Sequence, residues 1–182
     1  MKPGHVYTIG QGSNGMNGIF KLETQMSSGN GKFTITGLNS GKTSKDSVVT
    51  AERFFRANSK SISPSILIDS KDYVLHVQDI QGVGLNSDIS ISTLVAFCSA
   101  SLDKSVLSQF CVLGSFTIGG TITKIDNLAA ALQVCHDAGA KKITDVVPYF
   151  GYSRQDKKFE EGEAISARAI AQHISLRADH CN

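Results

Sequence analysis

Two stretches of this 182-residue sequence hold residue types used in phosphate chemistry, and four cysteines could serve metal or redox chemistry. The first stretch is GLNSGKT, residues 37–43. A phosphate-cradling loop needs GxxxxGK and then Ser or Thr, because successive backbone N–H groups must wrap the anion. Counting back from Gly41-Lys42 places Thr36 where the first glycine belongs. The spacing is one residue short, so the stretch reads as a glycine-rich start to a helix. The second is RQDKK, residues 154–158, inside a dense polar loop over 150–163. Taken alone, it reads as a charged surface loop between a strand and a helix. Cys98, Cys111, Cys135 and Cys181 lie far apart and form no CxxC metal or redox pair. Three of them sit in apolar contexts, where a free cysteine behaves as a small hydrophobe. The expectation is a reduced, cytoplasmic chain.

The elements that must position these residues follow from composition and pattern. A hydrophobic fraction of 41% and a charged fraction of 19% are ordinary for a globular chain. The length allows one domain, or one domain and a fragment of another. Eighteen Lys+Arg against sixteen Asp+Glu gives a formal charge of +2, too balanced to imply nucleic acid by electrostatics alone. No apolar run reaches transmembrane length, and MKPGHVYTIGQG lacks the apolar centre of a signal peptide. Residues 4–10 and 18–26 alternate as a hairpin around a glycine-rich turn. Phe33–Thr36 is a short strand, and 44–57 an amphipathic helix with Ser44 as its N-cap. SKSISPS, 59–65, reads as a loop, 73–78 as a strand and 88–101 as a buried helix. A strand over 110–118 precedes Gly119-Gly120, and 126–138 is a helix ended by Gly139. Then come a buried strand at 143–149, the polar loop, and an amphipathic helix at 164–178. The class is mixed α/β.

GNGKFTITG (29–37) and the helix after it, with Lys45-Asp46-Ser47 at its start, resemble the Lon-type proteolytic domain. YVLHV (73–77), VLGSFTIGGTI (112–122) and DNLAAALQVCHDAGAKKI (126–143) resemble that family's later blocks in order. The resemblance implies the Lon-protease-like fold and a Ser–Lys dyad, in which a desolvated neutral lysine takes the proton of the serine. Registered without a gap from His76-Val77 to Leu128, the nucleophile position falls on Asp88 and the lysine position on Ala129. Neither is competent. A shift of one residue makes Ser87 the nucleophile, with Lys124 the only nearby lysine. The simpler reading of Ser87 is a polar cap on the helix that starts near Ile89. A Lon fold with both dyad positions lost resembles the Lon-like proteins of BREX phage-defence systems, as does PGHVYTIGQGSNGMNGIFKLETQ (3–25). That resemblance implies a domain joined to an AAA+ ATPase, a homo-oligomeric ring and action on DNA through parts not present here, with no membrane partner. It requires no cofactor.

VVPYFGYSRQDKKFEEGEAISARAIAQHI (146–174) resembles ribose-phosphate pyrophosphokinase, a phosphoribosyltransferase-like family that makes phosphoribosyl pyrophosphate from ATP and ribose 5-phosphate. By that resemblance Arg154 and Gln155 contact ATP, and a planar guanidinium suits phosphate pairing or base stacking. Ala164 stands where the family usually has proline. The sequence ends at Asn182, before the family's metal-binding histidine, catalytic loop and pyrophosphate loop. Phosphoryl transfer depends on positioning and metal charge, which Arg154 and Gln155 alone do not supply. The two resemblances meet at DAGAKKI (137–143). The expected organisation is a non-catalytic Lon-type body over 1–143 and a strand–loop–helix segment of the second family over 144–182, with lower order after about residue 150.

Overall fold

The computed structural model describes residues 1–38, 41–140, 144–145 and 180–181. The chain divides into two compact units, Met1–Gly139 and Ala140–Asn182. The first is mixed α/β, as its pattern of elements predicts.

Strands β1 (His5–Gln11) and β2 (Asn17–Ser28) form the expected hairpin, antiparallel, with Gln11 opposite Asn17. Strand β3 (Phe33–Thr36) lies parallel to β4 (Lys71–Asp79), which in turn runs antiparallel to β2. The sheet order is β1-β2-β4-β3. Alternation along the strands sends one side chain in two to the core. Phe20, Leu22 and Thr24 of β2, and Tyr73, Leu75 and Val77 of β4, are buried, while Val74, His76 and Gln78 stay exposed.

Helix α1 (Lys42–Ile62) buries Val48, Ala51 and Phe55. It starts two residues earlier than its apolar stripe suggests. Gly41, not Ser44, occupies the N-cap, and Ser44 sits in the first turn with its hydroxyl donating to the carbonyls of Gly41 and Leu85. The helix also takes up Ser59–Ile62, which the sequence assigned to a loop. It stops just before Pro64, a residue that cannot continue the hydrogen-bond ladder. Phe55 meets Phe33, Tyr73 and Phe97 at ring-centroid distances of 6.4, 5.9 and 5.6 Å, so α1, β3, β4 and the segment bearing Phe97 share one aromatic cluster. Arg56 lies 4.3 Å over the Phe33 ring and closes that cluster from outside.

Helix α2 (Ser90–Ser101) is buried on more than one face, and its hydroxyls explain how a serine-rich helix tolerates this. Ser92 Oγ donates to Thr8 Oγ1 at 3.2 Å, Ser99 Oγ accepts the Gly4 N–H at 2.9 Å, and Ser101 Oγ pairs with the Tyr73 hydroxyl at 3.1 Å. Buried hydroxyls are acceptable when paired.

The expected strand over 110–118 is shorter in the structure. Only Ser115–Phe116 is strand (β5), paired with β6 (Ile122–Thr123) as a hairpin. The run breaks at Gly114, whose φ of 149° an L side chain rarely adopts. Upstream, Cys111 bridges Tyr7 in parallel, and Val112 N–H donates to Tyr7 O at 2.9 Å, so this segment extends the β1 edge. Helix α3 (Leu128–Asp137) buries Ala131 and Cys135, and ends where the Gly139 N–H donates to His136 O.

In the second unit, β7 (Thr144–Asp145) pairs in parallel with β8 (His180–Cys181). The sequence placed no strand at His180. The polar loop 150–163 and the helix 164–178, with Arg154 and Gln155, lie outside the described residues. Among the described residues no helix is long and apolar enough to cross a membrane.

Candidate functional site

A cavity of about 330 Å³ opens in the first unit where β1 ends and three helices begin. Thr8–Gln11 of β1, Thr43 of the first turn of α1, Asn86–Asp88 before α2 and Lys124–Asp126 before α3 contribute to its lining. Leu113–Ser115 and Ala131 complete that side. Helix N-termini carry unpaired N–H groups and a partial positive charge, so such a convergence is polar by construction.

The loop that carries Ser87 and Asp88 is held from several sides. The Asp79 carboxylate accepts the N–H groups of Gln81, Gly82 and Gly84 at 3.2, 2.7 and 2.7 Å. Charge-assisted bonds of this kind are stronger than neutral ones. Further on, Gly12 bridges Leu85, and Asn86 N–H donates to Gln11 O at 2.8 Å. Helix α1 adds Ser44 Oγ on the Leu85 carbonyl and Ser47 Oγ under the Ile89 N–H.

Within this frame Ser87 is half-buried, and its Oγ accepts the Gln11 N–H at 2.9 Å. It does not cap α2. Ile89 is the N-cap and makes no side-chain cap bond; Asp88, one residue before it, holds the first helical residue, its Oδ1 accepting the Ser90 N–H at 2.8 Å and the Ser90 hydroxyl at 2.6 Å. A carboxylate at this end of a helix is favoured by the dipole as well as by the hydrogen bond. Ser90 Oγ in turn accepts the Phe116 N–H at 3.1 Å and ties the start of the helix to β5.

Lys124 lines the cavity but is exposed to solvent, whereas a lysine base must be desolvated. Among the described residues no hydrogen bond joins Ser87 to Lys124; the bond that Ser87 Oγ makes is to Gln11. Ala129 is exposed on the first turn of α3 and is not part of the cavity lining. The structure thus brings Ser87, Asp88 and Lys124 to one cavity and leaves Ala129 outside it. Thr43, Ser115 and Asp126 also line it, and sequence reasoning did not single them out. Nothing in their local pattern marks them, because they meet only through the long-range packing of β1, α1 and β5.

Comparison with known proteins gives two similarities in one chain. Over 142 residues it is 56% identical to "Lon-like protease BrxL" of Bacillus cereus (strain H3081.97), covering 78% of this chain and 21% of that protein. It is 38% identical over 142 residues to the protein of that name from Escherichia coli O9:H4 (strain HS), covering 78% and 20%. Residues 99–176 match the family model for the N-terminal domain of ribose phosphate pyrophosphokinase. The ribose-phosphate pyrophosphokinase of Methanopyrus kandleri is 44% identical over 57 residues, 30% of this chain and 20% of that enzyme. The chain spans about a fifth of the length of these curated relatives. The second similarity reaches back to residue 99, well before the seam read from the sequence at 137–143. With 142 residues similar to the first protein, the two similarities share part of the chain.

Proposed function

We propose that the first unit is a non-catalytic Lon-type domain with the Lon-protease-like fold. It serves assembly, or DNA-associated work, within a BREX-type AAA+ phage-defence protein of the cytoplasm. The tail that follows is an incomplete ribose-phosphate pyrophosphokinase-like segment. The observation that supports non-catalysis most directly is the state of the dyad positions. Asp88 uses its carboxylate to hold Ser90 at the start of α2, and Ala129 stands outside the cavity without any base. Ser87 has a hydroxyl at the cavity, but a serine without an oriented base stays a weak nucleophile. The homo-oligomer and the DNA contact belong to the longer protein that the resemblance implies.

A fluorophosphonate probe, which phosphonylates activated serines with loss of fluoride, tests the catalytic state. The expected result is no labelling of Ser87 in the full chain under conditions that label a control serine hydrolase fully. Labelling that disappears in Ser87→Ala overturns the reading.

A second reading, ATP binding by the tail, is favoured by one observation: the matched residues 99–176 include Arg154 and Gln155. Calorimetry with millimolar ATP tests it. Binding weakened at least tenfold in Arg154→Ala supports the nucleotide contact, and absence of heat in the parent chain removes it.

A further inference from the structure

Strand β3 ends the sheet order, and among the described residues no backbone hydrogen bond reaches Phe33–Thr36 from any segment other than β4. The opposite edge differs, because the Cys111–Val112 segment lies along β1 there. Open edges are commonly blunted by charge, proline or a bulge. Phe33-Thr34-Ile35-Thr36 has no charge and no proline, only residue types that favour strands. Phe33 and Ile35 pack against the core, whereas Thr34 and Thr36 are exposed on the other face.

A basic stripe runs beside this edge. Helix α1 carries five basic and two acidic residues, whereas the rest of the first unit carries six basic and eight acidic. The positive charge of the unit is therefore concentrated on this helix. Lys42, Lys45, Arg53, Arg56 and Lys60 are all exposed. At 3.6 residues per turn they fall within about 80° of the helix circumference, in a stripe about 27 Å long with Asp46 at its margin. Arg56 places the stripe: it stacks on the Phe33 ring and donates to Gly31 O at 2.6 Å, so the stripe flanks β3. Glu52 is taken by Arg56 at 2.9 Å, and among the described residues Lys42, Lys45 and Arg53 make no ion pair.

We propose that the β3 edge and the α1 stripe together dock an acidic peptide segment in extended conformation, which adds to the four-stranded sheet as a fifth strand. Main-chain bonds to β3 hold the peptide in register. Side chains alternate along a strand, so every second residue points to the α1 side, where its carboxylate meets Lys45, Arg53 or a neighbour on the stripe. The residues between them lie beside Thr34 and Thr36. Four residues of β3 allow few main-chain bonds, so affinity depends on charge as well and falls with added salt. The open main-chain donors and acceptors favour a peptide over nucleic acid, which would use the stripe and leave the edge empty.

The probe is a fluorescein-labelled nine-residue peptide alternating Glu and Thr, titrated with the full chain and followed by anisotropy. Saturable binding is expected, weakened at least tenfold in the double variant Lys45→Glu, Arg53→Glu. Both positions are exposed and lie outside the aromatic cluster and the cavity lining, so the variant is expected to keep the urea midpoint of the parent. Binding is expected to vanish when the threonines of the peptide are replaced by proline, which keeps the charge and removes main-chain donors. In the parent chain, hydrogen exchange over residues 32–37 is expected to slow at least threefold with the peptide bound. No binding by the parent chain, equal binding of the proline peptide, or unchanged exchange over 32–37 overturns the proposal. Tighter binding of a twelve-base-pair DNA duplex than of the Glu-Thr peptide also overturns it, and makes the stripe a nucleic-acid surface.

Discussion

Phe55→Ala lowers the free energy of unfolding by about 3–5 kcal/mol, read from urea denaturation at constant slope. The side chain is fully buried and joins α1 to the sheet and to α2 through three aromatic neighbours. Truncation loses its transfer energy and leaves a cavity that three rigid rings cannot collapse to fill. Edge-on aromatic contacts add about 0.5–1.5 kcal/mol beyond burial, which places the loss in the upper part of the range. The consequence extends to the site, because α1 carries Thr43 at the cavity and Ser44 and Ser47 under the Ser87 loop. A loss below about 1 kcal/mol would mean that α1 does not pack through this residue.

Gly37→Ala costs about 3 kcal/mol or more, combining left-handed backbone strain with a steric clash. Gly37 follows β3 at a φ of +80°, and a Cβ there would stand 2.1 Å from the Val77 carbonyl oxygen of β4. The obstacle is backbone, so it cannot rotate away. Gly82 supplies the control: its φ is +69°, yet nothing lies within 4 Å of an added Cβ. Gly82→Ala therefore carries only the conformational strain, about 1–2 kcal/mol. Equal losses at the two positions in a thermal or urea series would show that the close approach of β3's end to β4 is not present.

Much of the first unit was legible in the sequence because its signals are local. The 4–10 and 18–26 alternation, the Phe33–Thr36 strand and the 73–78 strand all stand in the sheet. The failed phosphate loop was also readable: Gly41 is the N-cap of α1, as a glycine-rich helix start requires. The errors arose where long-range packing overrides local preference. Ser44 looks like a cap, yet its hydroxyl is needed on the Leu85 carbonyl, so the helix begins before it. Ser87 looks like a cap, yet its oxygen is taken by Gln11, and the carboxylate beside it is the better partner for a helix end. FCVLGSFTI looks like one strand, yet it serves two different partners on either side of Gly114. The cavity itself could not be read. Ser87 and Lys124 are far apart in sequence, and only the fold decides that they share a wall.

The central claim is that the first unit keeps a Lon-type arrangement without its chemistry. Casein hydrolysis tests it most directly, with the full chain, Ser87→Ala and Lys124→Ala assayed side by side at equal concentration. All three are expected to release peptide at the buffer rate. Hydrolysis by the parent chain that falls at least a hundredfold in both Ser87→Ala and Lys124→Ala would contradict it, and would make Ser87 and Lys124 a working dyad.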